Sequence, residues 1–391
     1  MRRSAAGSFP GTLLVAAFDF GWGGAGKVHL ILSELPGVHA VGVGSTLTRR
    51  LLGPTHIDDW IGENEEEIRE YIRCNDVRAA LVVGHLTVAR TLIDLGLPVV
   101  FVDSLPYLWT ANDMLPLDAD VYCAQLCYAL PSLCWPVMRT IQKLRWVEAI
   151  VPQRRRGSRG GGGAVVNVGG LHSLYSAESG DRYARCVLPA VLTGIQRAEV
   201  PVTAVCGNFN EDLVRMIREH VPESTSVGRL LPHEFNAAVG NAEVLFTSPG
   251  STTILQADAL GVPFVLLPPQ NVSQILNAEW LGPPGNEMSA LRWPAHLFDL
   301  AELEESRPHG EEHALAYIYR VIKEVEASPD TATEFAAVAE QLARQENRQT
   351  PGRHGRMLGR RGAHQVAQYV RQMMLAPPRS PTRRSRSAHV E

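Results

Sequence analysis

Residues 244–278, VLFTSPGSTTILQADALGVPFVLLPPQNVSQILNA, decide how the rest of the chain is read. The apolar run Val244, Leu245 and Phe246 predicts a strand that ends in Thr247, Ser248, Pro249 and Gly250. Ser251 to Leu260 then have helical spacing and stop at Gly261, a second strand follows over Val262 to Leu267, and Pro268 to Gln274 form a polar loop. A helix that starts directly after a parallel strand turns its free backbone N–H groups and the positive end of its macrodipole toward the crevice. In the Pro249-Gly250 turn the glycine lets a ligand approach the main chain, and Ser251, Thr252 and Thr253 add hydroxyl donors for phosphate oxygens. Gln256 lies one turn further in, within reach of a ribose, and Gln270, Asn271 and Gln274 offer amides to sugar hydroxyls. These residues suit the diphosphate of an activated sugar. The alternative is an ordinary βαβ crossover whose helix is capped by serine and threonine.

Upstream, VVNVGGLHS at 165–173 has the same strand-to-turn character. Gly169 and Gly170 permit close approach of a diphosphate, and His172 and Ser173 can donate to it, with a plain glycine turn as the alternative. In GRLLPHEFNAA, 228–238, Leu230, Leu231 and Pro232 present main-chain groups and apolar contact to a base edge, while His233 and Glu234 start a helix more readily than they catalyse.

The segment 152–164, PQRRRGSRGGGGA, is too polar and glycine-rich to pack and reads as a linker. Before it, strand-like runs over Thr12–Phe18, Val38–Val43, Ala79–Val83 and Pro98–Val102 alternate with helical stretches such as Val88–Leu95. After it, Ala164–Val168, Cys186–Gln196, Val202–Val205 and Asp212–His220 repeat the alternation. The fold class expected is α/β, two Rossmann-like domains facing each other across a cleft, with a C-terminal helix. The expected divisions are an acceptor-binding domain over 1–151, the linker, a nucleotide-sugar-binding domain over 165–345, a helical segment over 346–376 and a disordered tail over 377–391.

The first domain opens with FDFGWGGAGK, residues 18–27. Gly21, Gly26 and Lys27 match the phosphate-loop pattern GxxxxGK, but Val28 stands where the pattern wants a magnesium-binding Ser or Thr. The reading preferred is a glycine loop, with Gly23 and Gly24, that lets the domains close on an acceptor and brings Lys27 to an anionic group; NTPase chemistry is the alternative. Ligands of doubly wound sheets bind beyond the carboxyl ends of the strands, where Asp19, His85 and Asp103 stand. Each can serve as the base that deprotonates an acceptor, or merely cap the next turn; Asp19 and His85 come first.

With 391 residues, 45% hydrophobic and 20% charged, the chain can bury two cores. A net charge of −4 gives no overall attraction to nucleic acid. The six cysteines lack disulfide or zinc spacing, although Cys123, Cys127 and Cys134 would share a helical face. No signal peptide is read, and Val121–Met138, eighteen uncharged residues interrupted by Gln125, Pro131 and Pro136, suits burial or a patch resting on a bilayer better than a membrane span. A cytoplasmic enzyme follows, with small-molecule partners and a homodimer left open.

The two-domain layout, GGLHS, and TSPGSTTILQADALGVPFVLLPPQNVSQILNA resemble the GT-B glycosyltransferases, particularly the family that includes the peptidoglycan N-acetylglucosaminyltransferase. That resemblance implies diphosphate binding by Gly250, Ser251 and Thr252, a ribose contact at Gln256 where the family has an acidic residue, and sugar reading at Gln274. It also implies a UDP-sugar co-substrate with no tightly bound cofactor or metal. FDFGWGGAGK is similar to the opening of cytosylglucuronate synthases, which join cytosine or hydroxymethylcytosine to glucuronate from UDP-glucuronate in nucleoside antibiotic pathways. That narrower likeness implies Lys27 for the sugar carboxylate and Asp19 or His85 for the proton on cytosine N1. A transferase with another natural-product acceptor, and a binding subunit without turnover, are the remaining alternatives.

Overall fold

TLLVAA, VRAALVV and VVFVD are almost unbroken apolar runs, and such runs are satisfied in strands covered on both faces. In the computed structural model, which describes residues 9–18, 22–52, 56–110, 112–152, 162–169, 171, 179–281, 290–306, 311–344 and 353–377, they form the middle of a seven-stranded parallel sheet. Its strands are β1 (Thr12–Ala17), β2 (His39–Val43), β3 (Asp59–Ile61), β4 (Val77–Val83), β5 (Val99–Asp103), β6 (Val121–Gln125) and β7 (Leu144–Val147), in the order β3-β2-β1-β4-β5-β6-β7. The helices of this half are α1 (Gly23–Ser33), α2 (Thr46–Leu52), α3 (Glu65–Cys74), α4 (Leu86–Asp94) and α5 (Trp135–Met138).

A second parallel sheet contains β8 (Ala164–Gly169), β9 (Val202–Gly207), β10 (Ser226–Gly228), β11 (Val244–Thr247) and β12 (Phe264–Leu266), in the order β10-β9-β8-β11-β12. Around it lie α6 (Ser179–Arg197), α7 (Glu211–Arg218), α8 (Pro232–Asn241), α9 (Ser251–Leu260) and α10 (Val272–Leu281), followed by α11 (Leu300–Ser306), α12 (Glu311–Glu326) and α13 (Pro329–Arg344). Strand order reverses direction between β1 and β4 in one sheet and between β8 and β11 in the other. Crevices for ligands form at such switch points.

Side-chain alternation along the strands builds two cores on each sheet. In the first, Leu13, Val15, Leu81 and Val83 pack toward Val28 and Ile31 of α1, whereas Leu14, Ala16, Val82 and Phe101 pack toward Ile68 and Leu92. The chain then returns through α14 (Arg353–Leu358) and α15 (Gly362–Leu375), whose Val366, Val370 and Met374 complete the first of these cores.

The helical face expected for Cys123, Cys127 and Cys134 is corrected by the structure. Val121–Met138 is the strand β6, a 3-10 turn over Ser132–Cys134 and the short α5, because Pro131 and Pro136 prevent one continuous helix. Cys123 therefore sits in a strand, Cys134 in the turn and Cys127 between them, with no shared helical face. The short β3, β7 and β10 went unread, since their part-exposed residues lack an apolar run. Residues 153–161 of the expected linker and 378–391 of the expected tail lie outside the described residues, and β8 already begins at Ala164. No helix among the described residues is long and apolar enough to cross a membrane.

Candidate functional site

The N-terminus of α9 projects from the end of β11, and Gly250 precedes it with φ −72° and ψ 124° and no side-chain cap. Asn64, His85 and Asn210 each accept a first-turn amide of the helix they precede, whereas α1 after Trp22 starts, like α9, without a side-chain cap. The first amides of α9 therefore have no side-chain acceptor from the residue that precedes the helix. Asn167 of β8 braces this end, its side-chain Nδ2 donating to Thr247 Oγ1 at 3.0 Å and Thr253 Oγ1 at 3.5 Å while its Oδ1 accepts from Gly169 N at 3.2 Å. Gly169 has φ +67°, a left-handed conformation suited to glycine. Gly170, His172 and Ser173 lie outside the described residues.

The first sheet's α1 faces this helix start. A Cβ on Gly23 would stand 2.9 Å from Thr252 Oγ1, and one on Gly24 would stand 3.2 Å from the Phe18 carbonyl oxygen, so both glycines serve close approach. Lys27, 1% exposed, reaches across and donates from Nζ to Thr252 Oγ1, and burial lowers its pKa to about 7. Buried Gln256 of α9 turns its amide nitrogen toward Gly26 of α1. Because α1 begins at Gly23, Gly26 and Lys27 are already helical and cannot close a loop of extended amides around a phosphate chain. The GxxxxGK match is one of letters and not of conformation.

A second bridge between the halves is made by the Tyr107 hydroxyl, which donates to Asn277 Oδ1 at 2.9 Å, while Asn277 Nδ2 donates to the Pro249 carbonyl at 2.9 Å. Burial pushes the Tyr107 phenol well above its ordinary pKa, so it stays a donor. Beside it a narrow pocket is lined by Ser104, Gln125, Tyr128, Ser251 and Trp280, with the Trp280 ring edge-on to Tyr107 at 4.9 Å.

The loop expected over 268–274 ends at Asn271, because Asn271 caps α10 and the helix takes in Gln274, and these amides turn inward. Gln270 Nε2 donates to Val168 O at 2.8 Å and Ser248 Oγ at 3.2 Å, and Gln274 Oε1 accepts from Gln270 N at 3.0 Å. Asn271 Oδ1 accepts from Ser273 Oγ and from Gln274 N, capping α10. Leu231 likewise commits its N–H to Glu234 at 2.8 Å and its carbonyl to Phe235 N at 2.9 Å, both within the start of α8.

Of the three strand-end candidates, Asp19 lies outside the described residues. His85 Nδ1 accepts from Val88 N at 3.4 Å, its Nε2 lies 3.4 Å from a Glu63 carboxylate oxygen, and its ring meets Phe18 edge-on at 5.8 Å. Asp103 is 1% exposed and accepts from Leu105 N at 2.9 Å, Trp109 Nε1 at 2.8 Å and Tyr122 OH at 3.0 Å. Burial raises its pKa to about 6 against the pull of those donors. Sequence reasoning missed Asn167, Tyr107, Asn277 and Trp280. Position offered a signal for two of them: Asn167 lies in the strand before GGLHS, and Asn277 follows Gln274 on one face of α10 at helical spacing.

A family model described as CGA synthase-related protein matches residues 44–282. A search of curated proteins gives no match. Among solved structures, the chain is similar to Os79 from O. sativa in complex with U2F and trichothecene, at 10% identity over 92% of this chain and 100% of that one, with a TM-score of 0.52. It is similar to a UDP-glucosyltransferase from Polygonum tinctorium, at 12% identity over 95% and 100%, with a TM-score of 0.50. It is also similar to the S. aureus MnaA–UDP structure, at 9% identity over 94% and 98%, with a TM-score of 0.50. At these identities the likeness shows the fold, and the two facing parallel sheets are those of the GT-B class.

Proposed function

The chain belongs to the CGA synthase-related family, and on that premise we propose that it moves a sugar from a UDP-sugar to a small acceptor, reading CGA as cytosylglucuronic acid and taking the pair to be UDP-glucuronate with cytosine or hydroxymethylcytosine. The observation that carries this reading is the uncapped start of α9, set at the switch point of the second sheet and faced at close range by the glycine-rich α1. A diphosphate that accepts from the amides of 251–253 gains charge-assisted hydrogen bonds and the favourable end of the helix dipole. Those bonds strengthen as charge develops on the leaving oxygen, which is where stabilisation accelerates transfer. In the displacement, cytosine N1 bonds to the anomeric carbon, the bond from that carbon to the β-phosphate oxygen breaks, UDP departs with the electron pair, and a base takes the N1 proton.

Asp19 and His85 remain the proposed bases. The three donors around Asp103 favour a framework role for it. For His85, the Glu63 carboxylate near Nε2 would orient the ring once Nδ1 releases the Val88 amide. Asp19→Asn and His85→Ala, assayed for UDP release, are expected to slow turnover by about 10²-fold or more in at least one variant. Full activity in both removes them as the base. For the donor, UDP is expected to protect against thermal unfolding without magnesium, by about 2.7 kcal/mol at 100 times Kd, and absence of protection by any uridine compound sinks the transferase reading.

A further inference from the structure

Lys27 is a buried cation set against the start of α9. Its ammonium is buried, and among the described residues it meets a neutral hydroxyl, Thr252 Oγ1. Desolvation is the one cause of its lowered pKa, and among the described residues no acidic group raises it. Burying an ammonium without a counter-charge is strongly unfavourable, and the cation points at the first turn of α9, whose amides are themselves left without a side-chain cap. Gly23 brings α1 to within 2.9 Å of the same threonine, measured from a Cβ built on it, so the cation and the amides converge from the two halves of the molecule on one spot.

We infer that Lys27 is the cross-cleft cation for the leaving diphosphate, bonding the β-phosphate that the α9 amides hold from the other side. This rests on the transferase reading and alters one part of it. The diphosphate takes the place of the sugar carboxylate expected for Lys27, since Nζ stands at Thr252 in the first turn of α9. A dianion beside Nζ favours the ammonium, so Lys27 takes up a proton on binding. UDP affinity is then highest below about pH 7 and falls as pH rises through the free lysine's value.

The test is calorimetric titration of the full chain with UDP and with uridine between about pH 6.5 and 8.5, in buffers of different ionisation enthalpy, for the wild type, Lys27→Met and Lys27→Arg. Wild type is expected to bind UDP with proton uptake. Lys27→Met is expected to weaken UDP by about tenfold or more, leave uridine unchanged and lose the uptake, while Lys27→Arg keeps UDP affinity without the pH slope. A methionine variant that binds UDP with wild-type affinity and slope overturns the inference and leaves the transferase reading intact. Equal weakening of uridine and UDP overturns it as well, since that marks a packing role. Should the methionine variant not fold, the pH slope of Lys27→Arg decides: a slope like that of the wild type defeats the inference. Failure of the wild type to bind UDP at any pH defeats both.

Discussion

Asp103 and Gly23 are two residues whose consequences follow from what touches them. Asp103 is a buried carboxyl whose folded pKa, about 6, lies above its ordinary value of 3.8. Between those values the folded protein holds a proton that the unfolded chain has released, so this group favours folding at low pH and its contribution is lost as pH rises from about 4 to 6, by roughly 3 kcal/mol at full extent. Asp103→Asn removes that dependence. The difference between wild-type and variant urea midpoints should therefore change with pH across this window and be flat above about pH 7, and a difference constant from pH 4 to 7 would contradict the assignment. Gly23→Ala places a methyl group 2.9 Å from Thr252 Oγ1, forcing the seam between α1 and α9 to shift. Alanine favours the helix by up to about 1 kcal/mol, so the variant should keep its Tm while UDP protection against heat shrinks; protection equal to that of the wild type would show the seam to be irrelevant to binding.

At the scale of the element, α9 is held on two sides. Its start meets Lys27 of α1, and on its far face buried Asp258 accepts from His354 N at 3.2 Å, Gly355 N at 2.8 Å and Arg360 Nη2 at 3.4 Å. Asp258→Ala strands the first amides of α14, and unfolding stability should drop by about 2–4 kcal/mol, read as a lower urea midpoint at unchanged slope. Asp258→Asn, which keeps an acceptor, should lose less, and equal losses in the two variants would argue against a hydrogen-bonded anchor. The limits of α9 were legible because their determinants are local: Gly250 opens the turn, and Gly261 ends the helix with φ +78°. The same holds for the strands around it, whose apolar runs carry their own signal. Partner choice is another matter. Gln270 occupies the loop expected of it while Gln274 falls in the first turn of α10, and Gln270 bonds a carbonyl 102 positions away in β8. Lys27 meets a hydroxyl 225 positions away. Neither distance leaves a mark in local spacing. The helical face assigned to Cys123, Cys127 and Cys134 went astray for a local reason, since Pro131 and Pro136 outweigh the apparent period.

Across the whole molecule, the chain leaves the second sheet and finishes on the first. After α14 it passes Glu148, whose carboxylate accepts from Arg360 N at 2.8 Å and Arg361 N at 2.9 Å, and whose own amide donates to Gln365 Oε1 at 2.8 Å. Then α15 lays Val366, Val370 and Met374, all fully buried, onto the core shared by β1, β4, β5 and α1. The first sheet therefore depends on residues more than two hundred positions downstream, and α1, which carries Lys27, packs directly against α15. Burial of those three side chains alone is worth roughly 6 kcal/mol, comparable with the entire stability of about 5–15 kcal/mol usual for a domain. A chain ended after residue 361 should consequently fail to form the first half in native packing while the second sheet, whose core clusters contain no residue of α15, can still fold. Near-UV circular dichroism and limited proteolysis would show a protected fragment beginning near Ala164 and a digested N-terminal half. Retention of wild-type Tm and of protection throughout would mean that the first sheet is self-sufficient, and that α15 rests on it without holding it together.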